Sequence, residues 1–303
     1  MNSPIARPEL TYCGYVALVG RPNVGKSTLV NQILGTKISI ISRKTQTTRN
    51  KILGIKTMDN YQIIYVDTPG IHRHGKSILN SHMNSIALET ITDVDVIGFV
   101  VAGTKWTDED AWILDKIKRT KLPIMLLINK IDLVARKPLL LKHIDEIKDK
   151  HDFIKIVPLS AKTGINITPL ESSIQGLLPE GPFLFPEEQY RDRDDRFWIS
   201  EIIREKLTRC LGDELPYAIS VMVDRLENKQ KIISIAATIY VERLGQRKII
   251  IGQRGETLKK IGTIARKELE KHLAKKVFLQ LWIKVKKNWT DDASSLKLFG
   301  YST

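Results

Sequence analysis

Gly20-Arg21-Pro22-Asn23-Val24-Gly25-Lys26-Ser27 fits the pattern G-x-x-x-x-G-K-[ST], in which a glycine loop wraps a chain of phosphates. The flanks agree with that reading. Tyr15 to Val19 is apolar and partly β-branched, the pattern of a buried strand. Thr28 to Leu34 carries apolar residues at helical spacing and is stopped by Gly35. Strand, glycine loop and helix together aim backbone N–H groups and the positive end of a helix dipole at one point. Lys26 is then placed to reach the terminal phosphates, and the Ser27 hydroxyl to bind Mg²⁺.

Working outward, Lys37 to Asn50 is polar, rich in hydroxyls and weakly periodic, so it reads as a loop; it contains Thr47 and Thr48. Ile52 to Thr57 and Tyr61 to Val66 read as strands joined by a turn at Met58-Asp59-Asn60. The second runs directly into Asp67-Thr68-Pro69-Gly70. A carboxylate at a strand end beside the glycine loop suits a second Mg²⁺ contact through water, and the Gly70 N–H would face the γ-phosphate. Ile71 to Ser77 has few apolar residues and reads as mobile; its His72 and His74 lack further ligand candidates and are not read as a metal site. Helical periods follow over Leu79 to Thr92, Asp108 to Arg119, Pro138 to Lys150 and Ile167 to Leu178. Strand-like runs alternate with them at Val94 to Ala102, Leu122 to Ile128 and Ile154 to Leu159. Such alternation predicts a doubly wound α/β domain with a mostly parallel six-stranded sheet and its sites at the carboxyl ends of strands.

One such end is Asn129-Lys130-Ile131-Asp132. A carboxylate accepts from both N1–H and N2–H₂ of guanine, whereas adenine would leave it unpaired, so Asp132 points to guanine. Asn129 can bond to base or loop groups, and the Lys130 stem can cover the base face. The N–H groups of Ser160-Ala161-Lys162, at the last strand end, could meet the guanine carbonyl.

Gly20 to Ser27, Thr47-Thr48, Asp67 to Gly70, Asn129 to Asp132 and Ser160 to Lys162 resemble, in order, the five motifs of Ras-like GTPases. The resemblance implies GTP and GDP as ligands, bound by Gly20, Asn23 to Thr28, Thr47-Thr48 and the three later motifs. It implies Mg²⁺ on Ser27, Thr48 and Asp67, with Lys26, Asn23, Thr48 and Gly70 serving hydrolysis. Ile71 stands where Ras-like enzymes carry the glutamine that orients water, so intrinsic hydrolysis is expected to be slow. Relatives with asparagine in the glycine loop imply K⁺ near Asn23.

Pro179 to Asp195 is rich in proline and charge and reads as a linker. The expected division is therefore 1–180 for the nucleotide domain, 181–196 for the linker and 197–303 for a second domain. Trp198 to Leu211 has helical spacing, with Gly212 as its stop; Tyr217 to Asp224 and Ile232 to Val241 read as strands. Ile249-Ile250-Ile251 precedes the tetrad Gly252-Gln253-Arg254-Gly255, a basic helix over Glu256 to His272 and a strand over Val277 to Val285. From Arg243 to Trp289 there are 14 Lys/Arg against 3 Glu, a net +11 within a whole-chain +14. That density points to a polyanionic partner. The element order resembles the α+β type II KH domain of bacterial proteins, whose G-x-x-G turn clamps about four nucleotides of single strand. In that fold a short helix, not a strand, precedes the tetrad. RNA contacts are expected from Gly252, Gln253, Arg254, Gly255, Lys259, Lys260 and Arg266.

A GTPase domain followed by a KH domain resembles the Era family of bacterial GTPases, as do Glu201 to Leu207, Leu281 to Lys286 and Leu298 to Tyr301. The resemblance implies a maturation factor of the small ribosomal subunit. Its implied partners are the 3′ end region of small-subunit ribosomal RNA and a pre-30S-type particle, and it implies a monomer. The rival reading is a membrane-recruited GTPase switch whose basic block reads anionic lipid. No apolar run is long enough to span a bilayer, and Met1 to Leu10 lacks an apolar signal core. Two cysteines without metal-type spacing fit a reducing cytoplasm, with peripheral inner-membrane association as an extension of it.

Overall fold

The computed structural model describes residues 10–42, 44, 47–71, 78–211 and 218–301. They form two units. The first contains β1 (Tyr12–Val19), α1 (Lys26–Leu34), β2 (Ile52–Met58), β3 (Tyr61–Asp67), β4 (Val96–Ala102), α3 (Asp108–Ile117), β5 (Ile124–Asn129), α4 (Lys137–Ile147), β6 (Lys155–Pro158), α5 (Ile167–Gln175) and the end of α2 (Ile78–Thr90). Its sheet runs β2-β3-β1-β4-β5-β6. Only the β2–β3 hairpin is antiparallel, turned by Asp59 at φ 45. The central strands β4 and β5 read as continuous apolar runs because both their faces are covered. One face packs Ile97, Phe99 and Val101 against Ala87, Ile91, Ile113 and Ile147.

The stretch read as a linker behaves differently. Both ends of the Gln62 side chain bond to it: Oε1 accepts from the Leu184 and Phe185 N–H groups, and Nε2 donates to Phe185 O. Ile55 N–H donates to Tyr190 O at 3.0 Å, and Leu53 N–H to the Asp192 carboxylate at 2.9 Å. Residues 181–192 thus serve the open edge of β2, whose donors need partners, and belong to the first unit. The linker expected at 181–196 is corrected accordingly, since α6 (Asp195–Cys210) already begins at Asp195, capped by Asp194.

The second unit comprises α6, β7 (Ser220–Asn228), β8 (Ile232–Val241), α7 (Leu244–Ile251), α8 (Glu256–Leu273), β9 (Lys276–Val285) and α9 (Ala293–Leu298). Its sheet runs β7-β8-β9, with β7–β8 antiparallel and β8–β9 parallel. Ile199, Ile202, Ile203 and Leu207 of α6 share a core with Ile235, Ile239, Ile261, Ala265 and Leu269. The three consecutive isoleucines end helix α7, as the KH order requires. Gly212 and Tyr217 lie outside the described residues, and α6 ends at Cys210.

Two excursions of the amino-terminal half also belong to this unit, contrary to the expected boundary at residue 180: residues 38–50 and the start of α2. Ile40 is buried in the second core. Arg49 donates to Ile219 O (2.8 Å) and to the Tyr301 hydroxyl (3.1 Å). Glu205 accepts from the Ile41 N–H at 2.9 Å, and Arg204, paired with Glu201, donates to Thr47 O. Leu79 and Met83 of α2 pack with Trp289, Leu296 and Tyr301.

Candidate nucleotide site and nucleic-acid groove

In the first unit the glycine loop is set by two close approaches. Gly20 has φ 158, and a Cβ there would overlap Val100 O. Gly25, at the head of α1, has φ 105, and a Cβ would overlap Asn129 Nδ2. Both backbone positions therefore exclude a side chain. Gly70 lies equally close to Pro22, since a Cβ would come within 2.6 Å of the Pro22 ring, which holds Asp67-Thr68-Pro69-Gly70 against the loop. Thr68 fastens this turn from below: its buried hydroxyl donates to Leu18 O at 2.8 Å. Asp67 is paired in register with Leu18 and fully buried at the end of β3.

Lys26 is buried and its ammonium donates to Gly20 O (2.8 Å) and Arg21 O (3.1 Å), folded into the loop. Burial lowers its pKa to about 8; the Asp67 carboxylate opposes that shift and Arg21 adds to it. A cation held at this cost among backbone groups is a standing attraction for phosphate. Ser27 on the first turn of α1 and Asp67 supply hard oxygen donors of the kind Mg²⁺ takes, so the residues of this unit fit the ion. Thr47 and Thr48 lie on the excursion that belongs to the second unit, with Thr48 7% exposed. The Val24 side chain is core, so Val24 serves the site through its backbone. Ile71 is 1% exposed and points into the first core rather than toward the site.

Asn129 has a larger structural part than its sequence position suggested. Its Nδ2 donates to Val24 O (2.8 Å), and its Oδ1 accepts from Lys130 N–H (2.7 Å) and Ala161 N–H (2.9 Å). It ties the glycine loop, the Asn129–Asp132 loop and the Ser160–Lys162 loop together. Of the two alternatives left open for Asn129, these bonds go to loop groups. The Ser160 N–H donates to Ile165 O, so the first two N–H groups of that tripeptide are engaged within the loops. The Ser160 hydroxyl donates to the Asp132 carboxylate at 2.6 Å and sets its orientation. Lys130, left-handed at φ 65, donates from its ammonium to Asn23 O, which ties its loop to the glycine loop. A further brace was missed in the sequence: Arg21 Nε bonds to Asp110 at 3.1 Å. Asp110 also closes the capping box of α3 with Thr107, and that T-x-x-D spacing was the available signal. The histidines 72 and 74 lie outside the described residues.

In the second unit, Gly252 at φ 73, ψ −177 occupies a region open only to glycine, and a Cβ would overlap Thr257 Oγ1. Gly255 at φ 81 heads α8, and Arg254 between them is left-handed. Gln253 and Arg254 are exposed at the turn. Gly255, Lys259 and Arg266 line a groove of about 450 Å³ between α8 and β9, floored by Leu258 and Leu281. Lys260 is exposed beside it but outside this lining. An apolar floor, a basic wall and a glycine turn make a bed for the bases and backbone of a single strand.

Two family models match the chain: a 50S ribosome-binding GTPase over residues 15–130 and a KH domain over residues 214–290. GTPase Era of Coxiella burnetii (strain Dugway 5J108-111) is 51% identical over 291 residues, 96% of this chain and 98% of that protein. This chain belongs to the Era family of GTPases. GTPase Era of Actinobacillus pleuropneumoniae serotype 5b is likewise 51% identical, over 96% of each chain. Among solved structures, a variant of Aquifex aeolicus Era bound to GDP·AlF4⁻ is 42% identical, with a TM-score of 0.93 over 97% of this chain and all of that one. Era in complex with MgGDPNP and nucleotides 1506–1542 of 16S ribosomal RNA matches with the same identity, coverage and TM-score. The Era match spans both units and agrees with the order of phosphate loop, base loop and G-x-x-G turn described above. Among the described residues no helix is long and apolar enough to cross a membrane.

Proposed function

We propose that this Era-family chain is a Mg²⁺-dependent GTP-hydrolysing switch of the cytoplasm that binds single-stranded RNA near the 3′ end of small-subunit ribosomal RNA and acts in small-subunit maturation. The observation that carries this reading is the end-to-end match to Era seen with both MgGDPNP and 16S ribosomal RNA, together with a G-x-x-G turn whose first glycine, Gly252, has no room for a side chain.

In this reading the loop amides of Asn23 to Thr28 and the Lys26 ammonium hold the phosphates, while Asp132, aimed by Ser160, selects guanine. Ser27 and Thr48 would hold Mg²⁺ directly and Asp67 through water; the ion supplies positive charge to the phosphate oxygens as charge develops there. Ile71 offers the attacking water nothing, so its placement falls to backbone groups such as Gly70; Asn23 would hold K⁺, which would supply positive charge beside the phosphates, and single-turnover hydrolysis is expected to be faster in K⁺ than in Na⁺. Equal rates in the two salts would remove the K⁺ role.

The test of the whole reading is binding of the full chain to a 3′-end ribosomal oligonucleotide and to anionic vesicles, with GDP and with a non-hydrolysable GTP analogue. Oligonucleotide binding that depends on the nucleotide and falls at least tenfold in Gly252→Asp is expected. Vesicle binding untouched by that substitution, without RNA binding, would favour the membrane reading instead.

A further inference from the structure

β9 alternates: Val277, Leu279, Leu281 and Ile283 turn toward the helices, while Phe278, Gln280, Trp282 and Lys284 turn to the opposite face of the sheet. Trp282 is 57% and Phe278 51% exposed there, unusual for such large rings. Trp282 pairs in register with Thr238 on β8, which pairs with Met222 on β7. Just beyond Met222 the β7 ladder slips between Val223 and Arg225, and Asp224 is the residue left out of register. A bulge re-aims a side chain, and here the Asp224 carboxylate accepts from Thr238 Oγ1 at 2.7 Å, on the Trp282 face. A trough of about 560 Å³ joins Asp224, Thr238, Trp282, Lys284 and Arg247. It shares Leu258 and Leu281 with the groove of the G-x-x-G turn, so the two are continuous around the edge of β9.

An aromatic face, two cations and the one carboxylate among the trough's lining residues form a set with definite chemistry. Every base has a π-face that stacks on indole, and the cations suit phosphates. The carboxylate is the discriminating group, because it accepts and cannot donate. Cytosine, adenine and guanine carry an exocyclic amine to give it; uracil presents carbonyl oxygens on either side of its N3–H.

We propose that this trough is a base-reading subsite for the strand leaving the G-x-x-G groove, in which one base stacks on Trp282 and donates its exocyclic amine to Asp224, with Lys284 and Arg247 on the phosphates. The proposal rests on the RNA-binding reading above. It commits the outer face of the sheet to single-stranded RNA through its continuity with that groove.

The test measures anisotropy of the full chain with a labelled tetranucleotide and with decanucleotides carrying each base in turn outside the tetrad. Trp282→Ala should weaken the decanucleotide roughly fivefold to a hundredfold and the tetranucleotide little, and Trp282→Phe should restore most of the loss. Asp224→Asn should erase a preference for amine-bearing bases over uracil at one position. Lys284→Ala should weaken all sequences alike and flatten the salt dependence by about one counterion. If Gly252→Asp abolishes decanucleotide binding while Trp282→Ala and Asp224→Asn bind as the parent does, the subsite is refuted and the RNA reading stands. If the parent binds neither oligonucleotide, the RNA reading itself falls and takes the subsite with it.

Discussion

Lys26 offers the sharpest quantitative test of the phosphate site. Its pKa of about 8 in the free chain comes from burial against backbone carbonyls. A bound polyphosphate supplies negative charge and should return the ammonium toward its ordinary value of 10.5. That recovery couples proton uptake to nucleotide binding. The sign follows directly. Below about pH 8 the ammonium is charged with or without ligand, so affinity is flat. Above it the free chain must first take up a proton, and GDP affinity should fall by up to about tenfold per pH unit. Calorimetry in buffers of different ionisation enthalpy reads the proton directly: uptake should be small at pH 7 and rise toward one proton per nucleotide well above pH 8. Lys26→Arg, whose charge does not titrate in this range, should abolish the uptake. Equal uptake at both pH values, or uptake that survives in Lys26→Arg, would show that this lysine is not the linked group. The same shift carries a second consequence. Between about pH 8 and 10.5 the unfolded chain holds a proton on Lys26 that the folded chain lacks, so this group makes the free protein more stable as pH rises through that window.

Asp132→Asn should weaken GTP by roughly 2–3 kcal/mol and favour xanthosine triphosphate, since the amide can donate where xanthine accepts; competition binding checks both halves. Gly25→Ala places a methyl group against Asn129 Nδ2 at φ 105, and should lower GDP affinity at least tenfold, together with the melting temperature, in parallel titration and calorimetry. Arg49→Met removes the donors of Ile219 O and the Tyr301 hydroxyl, both in buried surroundings, and should cost about 2–4 kcal/mol in urea unfolding. An unchanged midpoint would mean that residues 38–50 add little to the second unit.

Much of this protein could be read from order and period alone. Gly20 to Ser27, Asp67 to Gly70 and Asn129 to Asp132 each sit at a strand's carboxyl end because alternating strands and helices leave the loops there. The three isoleucines were read as helix only through the KH resemblance; their composition favours a strand, and packing of Ile250 into the second core decides the matter. What stayed hidden has a common physical origin. Asn129 could have faced a base or a loop, and only three-dimensional placement shows both ends of its amide engaged with three loops. Arg49 and Arg204 look like surface cations in a polar stretch and a charged helix, but both are buried. Prolines and charges between 181 and 192 suggest solvent, yet their backbone meets the donors of β2, and composition is silent about backbone bonds. Trp282 is a large ring in an apolar strand, and only the facing of β9 shows it exposed.

The excursion at residues 38–50 bears on how such a protein can be taken apart. Its two family signatures suggest beads on a string, each transferable to another gene. A fragment ending at Asp192 would nevertheless keep Ile40 and Arg49 while losing the core and carbonyl that cover them. It would expose an isoleucine, strand a cation and leave Thr48 on an unsupported loop. Recombination at that point would part Ile40 and Arg49 from the core and carbonyl that cover them, so the two halves are expected to travel through evolution as one piece.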